Sequence, residues 1–174
     1  MSGFDCRIPF DQLRDGDRID LVAGDAERAA IAERLGLAAI ARLEAHAVLS
    51  RDGDAVGAKG RLKASLEQAC VATGEPVPAL VDEAFDLRFV PEPKGLQPDE
   101  EIELGQDELE TIFHDGSAID LGNAIADTLA LSLDPYPRSA GADAALREAG
   151  VMSEEEASPF AALAALKGRL GSQS

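Results

Sequence analysis

Leu37-Ala38-Ala39-Ile40-Ala41-Arg42-Leu43-Glu44-Ala45-His46-Ala47-Val48-Leu49 decides the reading of this chain. Its odd positions, Leu37 through Leu49, are all apolar, while Arg42, Glu44 and His46 fall on the even face. A period of two is the signature of a strand that buries one side. Arg51-Asp52-Gly53-Asp54 follows and reads as a hairpin loop. Residues 56–68 repeat the pattern, with Val56, Ala58, Leu62, Ala64 and Leu66 against Lys59, Arg61, Lys63 and Glu67. A turn at Thr73-Gly74-Glu75-Pro76 leads to 79–90, where Val81, Phe85, Leu87 and Phe89 face inward. Three sequential hairpin strands with one apolar face predict an antiparallel meander covered by helices. The many inward alanines leave room for another layer to approach closely.

Upstream, residues 4–10 alternate, with Phe4, Cys6, Ile8 and Phe10 on one side. Pro9 confines this strand to a sheet edge or a strand end. A short second strand carries Ile19, Leu21 and Ala23. Residues 26–35 read as a helix capped by Asp25 and ended by Gly36. Downstream, composition shifts at Pro91. Residues 99–110 hold Asp99, Glu100, Glu101, Glu103, Asp107, Glu108 and Glu110 without a base. Ile102 and Leu104 allow a short edge strand there; Leu109, Ile112 and Phe113 suggest a helical turn. Residues 121–133 give the best helix, with Asp120 as N-cap and Asp134-Pro135 as stop. A short helix over 143–149 and a last one opened by Pro159-Phe160 complete the pattern. The expected fold is α+β: an antiparallel meander of about five to six strands, open or barrel-like, packed with helices. It forms one domain over 1–170, in three parts. Residues 1–91 are mostly β with one helix, 92–106 are an acidic connection, and 107–170 are a mostly helical C-terminal third. Residues 171–174 form a disordered tail.

The chain has 174 residues and a formal net charge of -17. Such a surface repels polyanions and attracts basic partners. Aromatics are only 4% and Trp is absent, so the core rests on aliphatics and six phenylalanines. Two cysteines are too few for a disulfide scaffold. No apolar run approaches the roughly 20 residues of a membrane span. A start without a secretory pattern gives a cytoplasmic expectation.

Chemistry-bearing constellations are sparse. Cys70-Val71-Ala72-Thr73 offers one thiol and no second pair, so no metal or cofactor is expected. His46 lies on a polar strand face and His114 near Asp115 and Asp120; both are expected at the surface or in loops. Gly57 and Gly60 fall within a strand and mark a bulge or a close backbone approach. Two charged features have binding readings. Lys59, Arg61 and Lys63, with Arg51 at the preceding hairpin, form a basic stripe. It serves either RNA or anion contact or ordinary solubilisation, with Glu44 as cross-strand partner. The 99–110 run is either a solvated face or a docking strip for a basic partner.

Three ordered segments resemble the YceD family, the large ribosomal RNA subunit accumulation proteins. Gly60 to Val77 resembles the family's strand entering a Cys-x-x-Cys turn and a proline, with Cys70 and Pro76 in place and Thr73 replacing the second cysteine. Ile119-Asp120-Leu121-Gly122 through Pro135-Tyr136-Pro137 resembles its Asp-Leu helix ending in a proline-bearing run. Pro159-Phe160 through Leu166-Lys167 is similar to its C-terminal Pro-Phe-x-x-Leu-x-x-Leu-Lys. The departure at Thr73 counts against carrying over any metal or redox role of the family's cysteine pair. The resemblance implies a role in synthesis, processing or stability of 23S rRNA. With no catalytic constellation, the expected protein is a binding factor for a basic ribosomal or rRNA-processing protein. Direct contact with 23S rRNA through the basic stripe is the alternative. A metal-dependent RNA-processing enzyme using His114 or Asp120 is the reading from another class. No membrane and no small-molecule substrate are expected.

Overall fold

The computed structural model describes residues 4–92 and 111–151. The elements are β1 (Arg7–Pro9), β2 (Arg18–Val22), α1 (Asp25–Leu35), β3 (Ala39–Asp52), β4 (Ala55–Ala69), β5 (Pro76–Pro91), β6 (Thr111–His114), β7 (Ala118–Asp120), α2 (Leu121–Leu131) and α3 (Ala142–Glu148). Five strands form one sheet in the order β2-β3-β4-β5-β6, and β1 pairs with β7 in a separate two-stranded ribbon. The fold is α+β, as the alternation predicts. The sheet is open, with β2 and β6 at its edges, so the barrel-like form is excluded.

Chain topology divides the residues into two compact units. The first is Met1–Gln68 with Pro78–Pro135, and the second is Ala69–Val77 with Tyr136–Ser174. In the first unit the inward side chains of the sheet, among them Leu43, Leu49, Leu62, Leu87 and Phe89, join Leu121, Ile125 and Leu129 of α2 in one core. α1 packs on β3 and α2 on β1. The inward alanines Ala45, Ala47, Ala58 and Ala64 are all buried in this core. Gly60 belongs to the same face. A Cβ there would lie 1.8 Å from the His46 carbonyl oxygen and 2.7 Å from the Phe85 ring. The close approach expected at this glycine is therefore present.

The bulge is elsewhere. Pairing of β3 with β4 shifts between Ile40 and Arg42. A one-residue shift exchanges the two faces of a strand. Accordingly Ile40 is buried, whereas Ala39 and Ala41, read as inward, are exposed. The hairpin loop is also tighter than expected, since the strands reach Asp52 and resume at Ala55.

α1 begins one residue early. Glu27 turns back to accept the Gly24 N–H at 2.7 Å, so Gly24 takes the N-cap position assigned to Asp25. The helix ends as expected at Gly36, with φ of 65°. Asp120 caps α2 by accepting the Asn123 N–H at 3.0 Å.

Two expectations for the C-terminal half are corrected. Residues 111–120 form β6 and β7, not a helical turn: Thr111, Ile112 and Phe113 suit a pleated strand, and β6 adds to the sheet edge. Its pairing with β5 is parallel, so the sheet is not a pure meander. In the described part of the C-terminal third, helix is confined to α2 and α3. The expected helix at Pro159 and Phe160, the tail at 171–174 and the 99–110 run lie outside the described residues.

Candidate interaction surfaces

Alternation along β3, β4 and β5 puts their polar residues on the face opposite the core. Lys59 stands across from Val48, Arg61 from His46 and Lys63 from Glu44. On the far side of β3, Asp20 stands across from His46 and Val22 from Glu44. The basic stripe of Lys59, Arg61 and Lys63 is therefore real as a row of neighbours. It is not a naked cationic strip. Lys59 Nζ lies 2.8 Å from Asp86, and Arg61 pairs with Asp82, both carboxylates being supplied by β5. Arg42 takes Glu44 at 2.8 Å. The Arg61 hydrogen bond holds the Asp82 carboxyl below its usual range, with the charges of Arg61 and Lys63 adding to the effect.

Arg51 does not join this row. It shares the strand face of Leu49, not of Ser50, and its guanidinium folds back over the Phe10 ring at 5.4 Å. There it donates to the carbonyls of Phe10 (3.3 Å), Leu13 (3.4 Å) and Gly53 (3.3 Å). Those bonds make it a clasp between the 10–13 segment and the β3–β4 hairpin. His114 also packs on Phe10, with ring centroids 4.6 Å apart. It is buried, contrary to expectation. Its Nδ1 accepts the Gly116 N–H at 3.0 Å, so Nε2 carries the proton and donates to the Asp54 carbonyl at 2.9 Å. Both ring nitrogens are engaged, which suits a structural pin and not a general base. His46 lies exposed on the polar sheet face.

A surface that the sequence reading missed lies beside His114. A cleft of about 490 Å³ is lined by Glu92, Asp115, Asp120 and Asp127, with Arg7 as its basic residue. Arg7 approaches Asp115 at 3.9 Å. The Ser117 hydroxyl and N–H keep the Asp115 carboxyl below its ordinary range. The four carboxylates come from the end of β5, the turn after β6, the end of β7 and the middle of α2. No run of sequence announces them.

In the second unit, the turn between β4 and β5 holds Cys70, Thr73 and Pro76. Cys70 is buried and its sulfur accepts the Ser139 N–H at 3.3 Å. That donor, with the Thr73 and Ser139 hydroxyls, pulls the thiol down to about 6. Thr73 also reaches Ser139 Oγ at 3.3 Å and Glu75 Oε2 at 3.1 Å. The Pro137 carbonyl accepts the Val71 N–H at 2.9 Å. Among the described residues no group of three or more His, Cys, Asp or Glu side chains has metal-holding geometry. Pro76 opens β5, Leu121 is fully buried in the first turn of α2, Pro135 is exposed, and Pro137 is buried.

The two proline turns thus meet through Cys70, Thr73, Val71, Pro137 and Ser139, the segments whose order resembles one family. The family model described as large ribosomal RNA subunit accumulation protein YceD matches residues 58–167, more than half of the chain. The chain belongs to the YceD family. The match includes the basic stripe, the Cys70 turn, the acidic run and α2. The family description ties YceD proteins to accumulation of large-subunit ribosomal RNA and names no catalytic activity. No curated protein and no solved structure matches this YceD-family chain. No described helix is long and apolar enough to cross a membrane.

Proposed function

We propose that this chain is a non-catalytic factor supporting the synthesis, processing or stability of 23S rRNA, and that it works by binding a basic ribosomal or rRNA-processing protein. Membership of the family supplies the process. The observation that carries the mode of action is the distribution of charge. Lys59 and Arg61 are answered by Asp86 and Asp82, so two of the three cations in this row are already paired. The cleft lined by Glu92, Asp115, Asp120 and Asp127 stays acidic in balance although Arg7 faces Asp115 and Arg34 faces Asp127. Charge of this sign steers a basic protein inward and repels free RNA. The acidic residues Asp99, Glu100, Glu101, Glu103, Asp107, Glu108 and Glu110 add to that pull whatever their placement.

Direct rRNA contact through Lys59, Arg61 and Lys63 is the second reading. The observation favouring it is that this row stays on the uncovered face of the sheet, where all three side chains are exposed. Affinity capture from lysate, with mass spectrometry and sequencing of bound RNA, separates the two. The protein-partner reading expects basic proteins whose capture survives K59E/R61E/K63E and is weakened when 99–110 is neutralised. RNA that survives neutralisation and is lost in the triple variant would replace it with the second reading.

A further inference from the structure

α1 buries only Ala32 fully and leaves Ala26 and Ala30 exposed one turn apart. Across from them α2 presents Gly122 and Ala126. Between the two helices runs a mostly apolar groove of about 440 Å³, with Ile31 and Phe4 among its walls. Its polar lining is acidic in balance: Asp5, Glu27 and Asp120 against Arg34. Arg34 is already held by Asp127 at 3.4 Å and by the Asn123 side chain. The Gly24 and Asp5 N–H groups hold the Glu27 carboxyl below its usual range. Asp120 and Asn123 also line the acidic cleft described above, so the two depressions share a border.

We propose that this α1–α2 groove is the docking site for a basic peptide segment of the partner protein. One bulky apolar side chain would sit between the helices, with flanking lysines or arginines on the Asp5, Glu27 and Asp120 rim. The inference rests on the basic-partner reading and specifies its surface. Charge complementarity selects the occupant. Nucleic acid is repelled by this rim, and a second copy of the chain would bring the same carboxylates against it. An apolar floor beside a charged rim is the usual construction of a specific contact.

The probe is a pair of fluorescent peptides titrated against the full chain by anisotropy. One repeats Lys-Leu-Ala-Lys; the other has equal charge with every leucine replaced by glycine. The leucine peptide is expected to bind more tightly. Ala30→Trp fills the groove without changing charge and is expected to weaken that binding about ten- to a hundredfold, the contribution of one buried leucine side chain. Ala29→Trp, on the same helix but outside the groove, is expected to leave it unchanged and controls for folding. Equal binding of both peptides, or equal loss in both variants, overturns the groove while the basic-partner reading stands. Failure of both peptides to bind overturns the two together.

Discussion

Gly60 gives the sharpest test of how the sheet is built. An alanine Cβ there would meet the His46 carbonyl oxygen at 1.8 Å, the Ala47 Cα at 2.9 Å and the Phe85 ring at 2.7 Å. Two of these neighbours are backbone, so rotating a side chain cannot relieve the contact. β3 and β4 must move apart at the centre of their ladder, or the Phe85 ring must leave its place in the core. Overpacking of this kind costs about 1–3 kcal/mol. A weakened pair of ladder hydrogen bonds costs about 1 kcal/mol each. Against this, alanine recovers about 0.7 kcal/mol by restricting the unfolded chain. The expected net loss for Gly60→Ala is about 3 kcal/mol. Urea unfolding followed by far-ultraviolet circular dichroism measures it as a fall in midpoint at constant slope. Gly57→Ala is the matched control. Its Cβ would meet only the Ser50 side chain, whose Oγ at 2.5 Å can rotate away. It should cost less than about 1 kcal/mol. A Gly60→Ala protein within about 0.5 kcal/mol of wild type, the ordinary range of a surface substitution, would refute the reasoning. So would a Gly57→Ala loss of the same size as that of Gly60→Ala.

Arg51→Ala removes three donors to carbonyls and the stack on Phe10, and is expected to cost about 2 kcal/mol in the same urea assay; it should leave RNA retention in the capture experiment untouched. Asp120→Ala deletes the cap of α2 and is expected to lower stability by about 1 kcal/mol, read as a drop in melting temperature. Thr73→Val removes a hydroxyl donor to Cys70 and should raise the thiol's titration midpoint from about 6, followed by thiolate absorbance in a Cys6→Ala background. The folded thiol sits below its ordinary value of 9.0. Its ionisation therefore adds stability that grows as pH rises from about 6, is complete above about 9, and is lost as pH falls back through 6. Wild-type stability that is flat across that window, relative to Cys70→Ser, would contradict the hydrogen-bonded thiolate.

The long strands were legible because each carries a dozen or so alternating positions that no helix accommodates. Val56, Leu62 and Leu66 lie inward as read, and so do Phe85, Leu87 and Phe89. The bulge after Ile40 escaped because Ala39 and Ala41 continue the apolar alternation that the backbone breaks. β6 escaped because four residues beside an acidic run give no period to measure. The stripe of Lys59, Arg61 and Lys63 was readable from one strand. The pairing of Lys59 with Asp86 and of Arg61 with Asp82 depends on the β4–β5 register and could not be read from β4. Arg51 was grouped with that stripe by sequence proximity, although strand parity from Leu49 already placed it on the other side. The acidic cleft is assembled from four elements, and its carboxylates are ordinary surface residues in each. Asp120 was the exception, singled out for capping a helix and not for the cleft it borders.

The ribbon of β1 and β7 has a consequence in time. Arg7 pairs with Asp120, and Pro9 with Ala118. During synthesis at roughly 5–20 residues per second, the N-terminal strand waits about 5–20 s for its partner to be made. The β3–β4 hairpin closes through near neighbours and needs no such wait. Phe4 and Cys6, which end up buried with this ribbon, therefore stay exposed on the growing chain until α2 begins. Closure of the β1–β7 ribbon is thus paced by synthesis of the chain that lies between the two strands.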